Sequence, residues 1–257
     1  MTKTFDDNAR NKYLETSDFK ELEYNQYPVS RMVVKEVDSK FARPYIATYH
    51  YSKTMPDSTK SVFAGFYGDK LAGGIVFGMG SGKNQYTALF PNIQNGQYLE
   101  LTRMWSADGM PRNTESKLIS ESIKMLPSDV QILMSFADPS HNHAGTIYQA
   151  TNWYYCGMSN GGRQLITEDG IEKHTRLLGI YKMRHPEYKK LSNDELMKIY
   201  GWTYKETSGK HRYVFLRGSK KIKKENFSLI KDKILPYPKT NTLSKEELES
   251  FDYASKN

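Results

Sequence analysis

The chain has 257 residues, a net charge of +8 at pH 7 and one cysteine. That length can bury a full core, while low mean hydropathy and the lack of a long apolar run exclude a membrane-spanning helix. A single cysteine excludes an intrachain disulfide framework and a cysteine-based zinc site, and the opening residues carry no apolar signal segment, so the chain reads as cytoplasmic.

Residues 1–30 are polar and charged and read as an N-terminal arm. Met32-Val33-Val34 is the expected first strand. Ser39 to Tyr51 is the expected next helix, with Ser39 at its N-cap and Pro44 tolerated in its first turns. Tyr49-His50-Tyr51-Ser52-Lys53 closes it. A near-neutral imidazole suits proton removal or metal binding, although a lone histidine is more often structural. Residues 61–67 and 71–78 predict a hairpin across Gly68-Asp69-Lys70. The glycines from Gly73 to Gly82 lack the spacing of a Walker loop, and residues 81–97 read as a polar loop.

Tyr98 to Trp105 reads as a strand with Leu99, Leu101 and Arg103 on one face and Glu100 on the other. Asp108-Gly109-Met110-Pro111-Arg112-Asn113 is a tight turn, and Thr114 to Leu126 has helical spacing through Ile119, Ile123 and Leu126. A strand, a glycine turn and a helix start gather backbone N–H groups. With Arg112 and Lys117 beside them, that point suits an anion. Arg103 suits an anionic donor through its planar fork, or a structural ion pair. Ser116 can donate to a bound group or support the helix start. Val130 to Ala137 is the next strand. Asp138 follows it, where open α/β sheets place ligands; its carboxylate can orient His50, act as a base, hold a metal or cap the next helix. His141 and His143 follow in a loop. Ala144 to Trp153 predicts a helix carrying Tyr148, and Tyr154 to Met158 a strand whose Cys156 is an inert core thiol. The order strand–helix–strand–helix–strand implies neighbouring strands joined through packed helices.

Further on, Gln164-Leu165-Ile166 and Thr175 to Leu178 are expected as a hairpin around Glu168-Asp169-Gly170. Ser192 and Glu195 form a capping box for a helix to Tyr200. Trp202 to Lys205 and Arg212 to Arg217 read as another hairpin. Residues 182–239 carry 16 Lys and Arg against 6 Asp and Glu, interleaved with aromatics, whereas residues 1–181 are balanced. That asymmetry points to a polyanion such as nucleic acid. Residues 240–257 form an acidic tail.

The element order resembles the core of GNAT-fold acyltransferases. The words Glu100-Leu101-Thr102-Arg103-Met104-Trp105, Asp108-Gly109-Met110-Pro111-Arg112-Asn113-Thr114-Glu115-Ser116, Ser135-Phe136-Ala137-Asp138, Ala144-Gly145 and Tyr148-Gln149-Ala150-Thr151-Asn152-Trp153 are narrower. With Tyr49-His50-Tyr51-Ser52 and Leu235-Pro236-Tyr237-Pro238-Lys239, they resemble the Mom family of bacteriophage proteins that modify adenine in phage DNA. The resemblance implies an α/β (α+β) GNAT-like fold, a mixed central sheet flanked by helices. Residues 31–181 would be the catalytic core, and 182–239 a basic nucleic-acid-binding extension packed on it.

The implied activity is that of a transferase converting adenine to N6-carbamoylmethyladenine, protecting phage DNA from host restriction, in the cytoplasm of a host cell. The partner is double-stranded DNA with a flipped adenine, and no membrane is involved. Implied catalytic residues are His50, Asp138, Tyr148 and Tyr49. Tyr148 matches the tyrosine acid of GNAT enzymes, and Tyr49, Tyr51 and Tyr67 offer surfaces for the flipped base. Implied donor-binding residues are Arg103, Ser116, Gly109, Arg112 and Asn113. The donor is an acyl-CoA or a glycine-derived or aminoacyl compound; the usual Gln/Arg-X-X-Gly-X-Gly/Ala loop for CoA is absent in that form. Iron on His50 and Asp138 is a further expectation. Two other readings compete: an N-acyltransferase with a protein or small-molecule acceptor, and a noncatalytic DNA-binding protein.

Overall fold

The structure is a computed structural model that describes residues 28–50, 52, 54–80, 82–107, 110–141 and 143–239. The acidic tail, nearly all of the expected arm, Tyr51 and Gly109 lie outside the described residues. In chain order the elements are β1 (Val33–Glu36), α1 (Ser39–Tyr49), β2 (Thr59–Tyr67), β3 (Lys70–Gly78), α2 (Lys83–Thr87), β4 (Tyr98–Ser106), α3 (Thr114–Met125), β5 (Ile132–Ala137), α4 (Thr146–Ala150) and β6 (Tyr154–Met158). Then come β7 (Gly162–Ile166), β8 (Glu172–His174), α5 (Arg176–Arg184), α6 (Asn193–Ile199), β9 (Thr203–Thr207), β10 (His211–Leu216) and α7 (Lys220–Ile230).

Seven strands form one mixed sheet in the order β1-β2-β3-β4-β5-β10-β6. Its first four strands are antiparallel neighbours, and β4 and β5 are parallel. The mixed sheet flanked by helices is therefore present as expected. One face is covered by α3, whose Leu118, Ile119 and Ile123 pack with Phe63, Ile75, Phe77, Leu99 and Leu101. The other face receives α1, where Ala42 and Ile46 meet Val62 and Val76. The cap of α1 is Asp38 rather than Ser39: its carboxylate accepts from the Lys40 N–H at 2.7 Å. The helix stops at Tyr49 because His50 turns to an extended conformation.

Three expectations about topology fail for physical reasons. Residues 81–97 are not a polar loop: Tyr86, Leu89, Phe90 and Ile93 are buried in a core with Tyr98, Ile132 and Met134, and the polar residues between them hid this in the sequence. The strands β5 and β6 are not neighbours, since β10 lies between them. Nor does β10 pair with β9. In β10, Tyr213 packs into the α3-side cluster and Val214 and Leu216 into the opposite one, so both faces are buried as a central strand requires. The polar β9 pairs with β7 in a separate three-stranded sheet, β8-β7-β9.

The chain divides into two compact units. The first runs through Ala137 and adds Gly145–Gly157 and Arg212–Pro238; the second comprises Asp138–Ala144, Met158–His211 and the chain from Lys239. The basic stretch 182–239 is shared between them. In the second unit β7 turns into β8, and a helix, α5, occupies the position expected for the second strand around Thr175 to Leu178. Leu165, Leu178, Leu196, Met197 and Trp202 form its core. The capping box at α6 is present, with Ser192 accepting from the Glu195 N–H and Glu195 from the Ser192 N–H.

Candidate active site

The parallel ladder between β4 and β5 is short. Tyr98, Leu99 and Glu100 pair with Ile132, Leu133 and Met134, and the strands then part although both continue. At the parting point the Ser135 hydroxyl lies 2.8 Å from the Leu101 carbonyl and 2.7 Å from the Tyr148 phenol oxygen. A hydroxyl has one proton to give. With that proton on Leu101, the phenol of Tyr148 donates to Ser135, and a hydrogen-bond relay of two links, ending on the Leu101 carbonyl, spans the gap. The Tyr148 ring is fixed between Trp153 and Tyr213, with centroids 5.2 and 5.1 Å away.

The short helix α4 carries Tyr148 and begins at Gly145, whose φ is +75°; a Cβ there would overlap the Tyr213 ring. The Tyr148 ring lies in the core, and its hydroxyl meets Ser135 at the strand parting. Ser135 received no role from the sequence. Its signal was a hydroxyl inside a fully apolar strand, Ile132–Ala137, where a buried polar atom needs a partner.

A β-bulge controls the other side of β4. Arg103 pairs with Val76 and Leu101 with Phe77, so Thr102 is the extra residue, and its hydroxyl donates to the Val76 carbonyl at 3.1 Å. The bulge breaks the alternation. Leu101 faces the α3-side cluster, but Arg103 is placed opposite Val76 on the α1 side, contrary to the expected face shared with Leu99 and Leu101. There Arg103 donates through Nε to the Thr54 carbonyl at 3.0 Å, through Nη1 to the Thr102 carbonyl at 2.6 Å and through Nη2 to the Thr54 hydroxyl at 3.4 Å.

Thr54 belongs to the segment that follows His50. The Ser52 hydroxyl donates to the Thr54 carbonyl at 3.5 Å, and the Ser52 N–H donates to His50 Nδ1 at 3.1 Å. The Ser52 hydroxyl also lies 2.8 Å from His50 Nδ1, and the His50 ring is buried. Tyr49 stacks on Trp105 at 4.8 Å, and Tyr45 stacks on the same indole at 5.8 Å.

Around the α3 start, Asn113 adopts the left-handed conformation at φ +71°, which asparagine tolerates better than most residues. Two N–H groups of the expected anion cradle are already used: Thr114 N–H donates to the Pro111 carbonyl and Lys117 N–H to Asn113. The Lys117 ammonium donates to the Val29 and Ser30 carbonyls, both at 2.8 Å, and so holds the segment before β1 instead of the turn. Glu115 accepts from the Ser106 hydroxyl at 2.7 Å. Arg112 is exposed, and Ser116 is half-buried in the first helical turn. Gly109 lies outside the described residues.

Asp138 belongs to the second unit. One carboxylate oxygen accepts from the Ser140 N–H at 3.0 Å and its hydroxyl at 2.6 Å; the other meets the Lys210 ammonium at 2.8 Å. Burial alone would raise its pKa, but these bonds and the Lys210 charge outweigh it and hold the carboxyl below its usual range. Asp138 is therefore an ionised cap of its own turn. His143, in the same loop, has its pKa lowered by burial and by His141. Among the described residues, no group of three or more His, Cys, Asp and Glu is placed to hold a metal ion. The iron expected on His50 and Asp138 thus lacks a ligand set. Burial pushes the Cys156 thiol up to about 11, which makes it inert as expected.

Among solved structures, the chain is similar to an aminoglycoside acetyltransferase, AAC(6′)-Ib, in complex with coenzyme A. Identity is 9%, coverage 77% of this chain and 97% of that one, and the TM-score 0.42. A putative phosphinothricin N-acetyltransferase aligns at 10% identity over 73% of this chain and 99% of that one, with a TM-score of 0.41. The methylcarbamoylase Mom of Escherichia phage Mu is 34% identical over 134 residues, 51% of this chain and 56% of that protein. The chain thus spans about half the length of this curated relative. The Mom protein family matches residues 31–239, most of the sequence and nearly all of the described residues, and the chain belongs to the Mom protein family.

Proposed function

We propose that this protein modifies phage DNA by converting adenine to N6-carbamoylmethyladenine, and so protects that DNA from restriction. The observation that carries this reading is the family match over residues 31–239. The Tyr148–Ser135 pair at the β4–β5 parting supports it chemically. In the reaction a bond forms between N6 and the donor's carbon while N6 loses a proton. The amine is a poor nucleophile because its lone pair is delocalised into the ring, so proton removal must accompany bond formation. Tyr148 gives its phenol proton to the departing group as general acid, with Ser135 holding the phenol oxygen in place. His50 takes the proton from N6 as general base. Aromatic residues of the first unit receive the flipped base at a cost of about a few kcal/mol. Lysines and arginines within 182–239 contact the DNA backbone.

The donor follows from the product's skeleton. Carbamoylmethyl is attached through a CH2, so simple acetyl transfer does not give it. A glycyl group transferred as an acyl gives an isomer of the same mass, in which the amine and carbonyl positions are exchanged. A glycine-derived or aminoacyl donor therefore accounts for the atoms, with a rearrangement before or after transfer. Nucleosides from plasmid DNA of cells expressing the protein would be analysed by mass spectrometry against authentic carbamoylmethyl and glycyl standards. The carbamoylmethyl species is expected, and it disappears with Tyr148→Phe. Unmodified adenine beside soluble, folded protein would overturn the reading.

A further inference from the structure

Two arginines mark the two ends of β10, and they are used differently. Arg217, just past the strand, donates through Nη1 to the Pro127 and Val130 carbonyls at 2.9 and 2.7 Å and through Nη2 to the Leu126 carbonyl at 2.9 Å. It closes the C-terminal end of α3, where helix carbonyls lack partners. Arg212, near the start of β10, has one hydrogen bond, from Nη2 to the Cys156 carbonyl at 3.0 Å. Its Nε is buried without an acceptor. Among the described residues, the ionisable groups that act on it are the Cys156 thiol and the Tyr155 phenol, and no carboxylate is one of them. Burial raises the pKa of both, so both are neutral at pH 7. Lys233 adds a second positive charge acting on the same thiol. A half-buried guanidinium with unmatched charge and idle donors costs stability unless something supplies the missing acceptor.

Its position is informative. The Arg217 N–H donates to the Gln131 carbonyl, which immediately precedes β5. The two strands therefore run in opposite directions, and Arg212 stands beside the C-terminal end of β5. That is the end of the sheet at which β4 and β5 have separated and at which open α/β sheets bind ligands. We infer that Arg212 is a phosphate-binding residue, its guanidinium taking an oxyanion at the C-terminal edge of the main sheet. The planar fork suits phosphate oxygens, and the side chain is only partly buried, so a solute can reach it. The phosphate comes either from the DNA backbone or from a small molecule. The assignment does not depend on the adenine reaction, because it is read by binding alone.

The test is thermal unfolding of the full chain with and without inorganic pyrophosphate, for the parent, Arg212→Met, Arg217→Met and a Lys220→Ala/Lys221→Ala double variant. Pyrophosphate should raise the parent's melting temperature by roughly 2–4 °C. Arg212→Met should melt no lower than the parent and lose that rise. The lysine variant should keep it, and Arg217→Met should melt lower because it strips three carbonyls of their donor. A rise retained in Arg212→Met, or a folded Arg212→Met that melts as low as Arg217→Met, overturns the assignment. Should the methionine variant fail to fold, Arg212→Gln is judged by the same rise. Anisotropy of a labelled duplex separates the sources. Weaker binding by Arg212→Met, with a salt slope smaller by about one, assigns the phosphate to DNA. Unchanged duplex binding together with the lost rise assigns it to a small molecule.

Discussion

The two sides of β4 use polar side chains in opposite ways. Towards α1, Arg103 bonds Thr54, Ser52 bonds Thr54 and His50, and the contacts tie the segment after α1 to β4. Towards β5, Ser135 links Tyr148 to the Leu101 carbonyl where the β4–β5 ladder has ended. The first side ties a loop to the strand, and the second links two strands where their ladder ends.

The largest expected effect tests the β5 side. Tyr148→Phe keeps the ring contacts with Trp153 and Tyr213 but removes the relay. DNA modification should fall by about a thousandfold, within the range for a lost general acid, with the melting temperature nearly unchanged. A variant that retains full activity would leave Tyr148 as core alone. Next is Gly145→Ala. Left-handed φ costs about 1–2 kcal/mol for an L-residue, and the clash with the Tyr213 ring adds about 1 kcal/mol or more. Urea unfolding should register roughly 3 kcal/mol in all. A loss under about 1 kcal/mol would mean that α4 re-seats easily and that Tyr148 is not rigidly placed.

Much of the first unit was legible because its elements obey simple periodicities. The hairpin of β2 and β3, the strand β4 and the helix α3 follow alternation or i, i+4 spacing and agree with the structure to within a few residues. What escaped depends on contacts between distant parts of the chain. The bulge at Thr102 has no local signature, yet it moves Arg103 to the other face and changes its partner from an expected ligand to the Thr54 carbonyl. The insertion of β10 between β5 and β6 reads in sequence as a hairpin with β9, because the turn at Ser208-Gly209 looks like a hairpin loop. The burial of β10 on both faces was the clue. The candidate residues were legible as types at element ends, but not the partners they bond: Ser52 for His50, and Lys210 with Ser140 for Asp138.

A mid-sized effect tests the α1 side. Arg103→Lys keeps a positive charge but cannot reach the Thr54 carbonyl, Thr54 hydroxyl and Thr102 carbonyl together. If Arg103 anchors the loop, activity drops by about tenfold, and amides between Ser52 and Thr59 exchange faster with deuterium. Unchanged exchange with lost activity would return Arg103 to donor binding.

The smallest effect concerns Asp138, which resembles the α1 side in that its carboxylate is fully engaged by neighbours. Asp138→Asn removes the ion pair with Lys210 and weakens the bonds from Ser140, costing about 1 kcal/mol at pH 7. The carboxyl's pKa is lower in the folded protein than in the unfolded chain, so its stabilisation is present above the unfolded value of about 4. It fades as pH falls through the lower folded value. Urea titrations at pH 7 and pH 3 should therefore find the parent more stable than the variant at pH 7 and a smaller gap at pH 3. A gap independent of pH would mean that Asp138 acts by shape and not by charge.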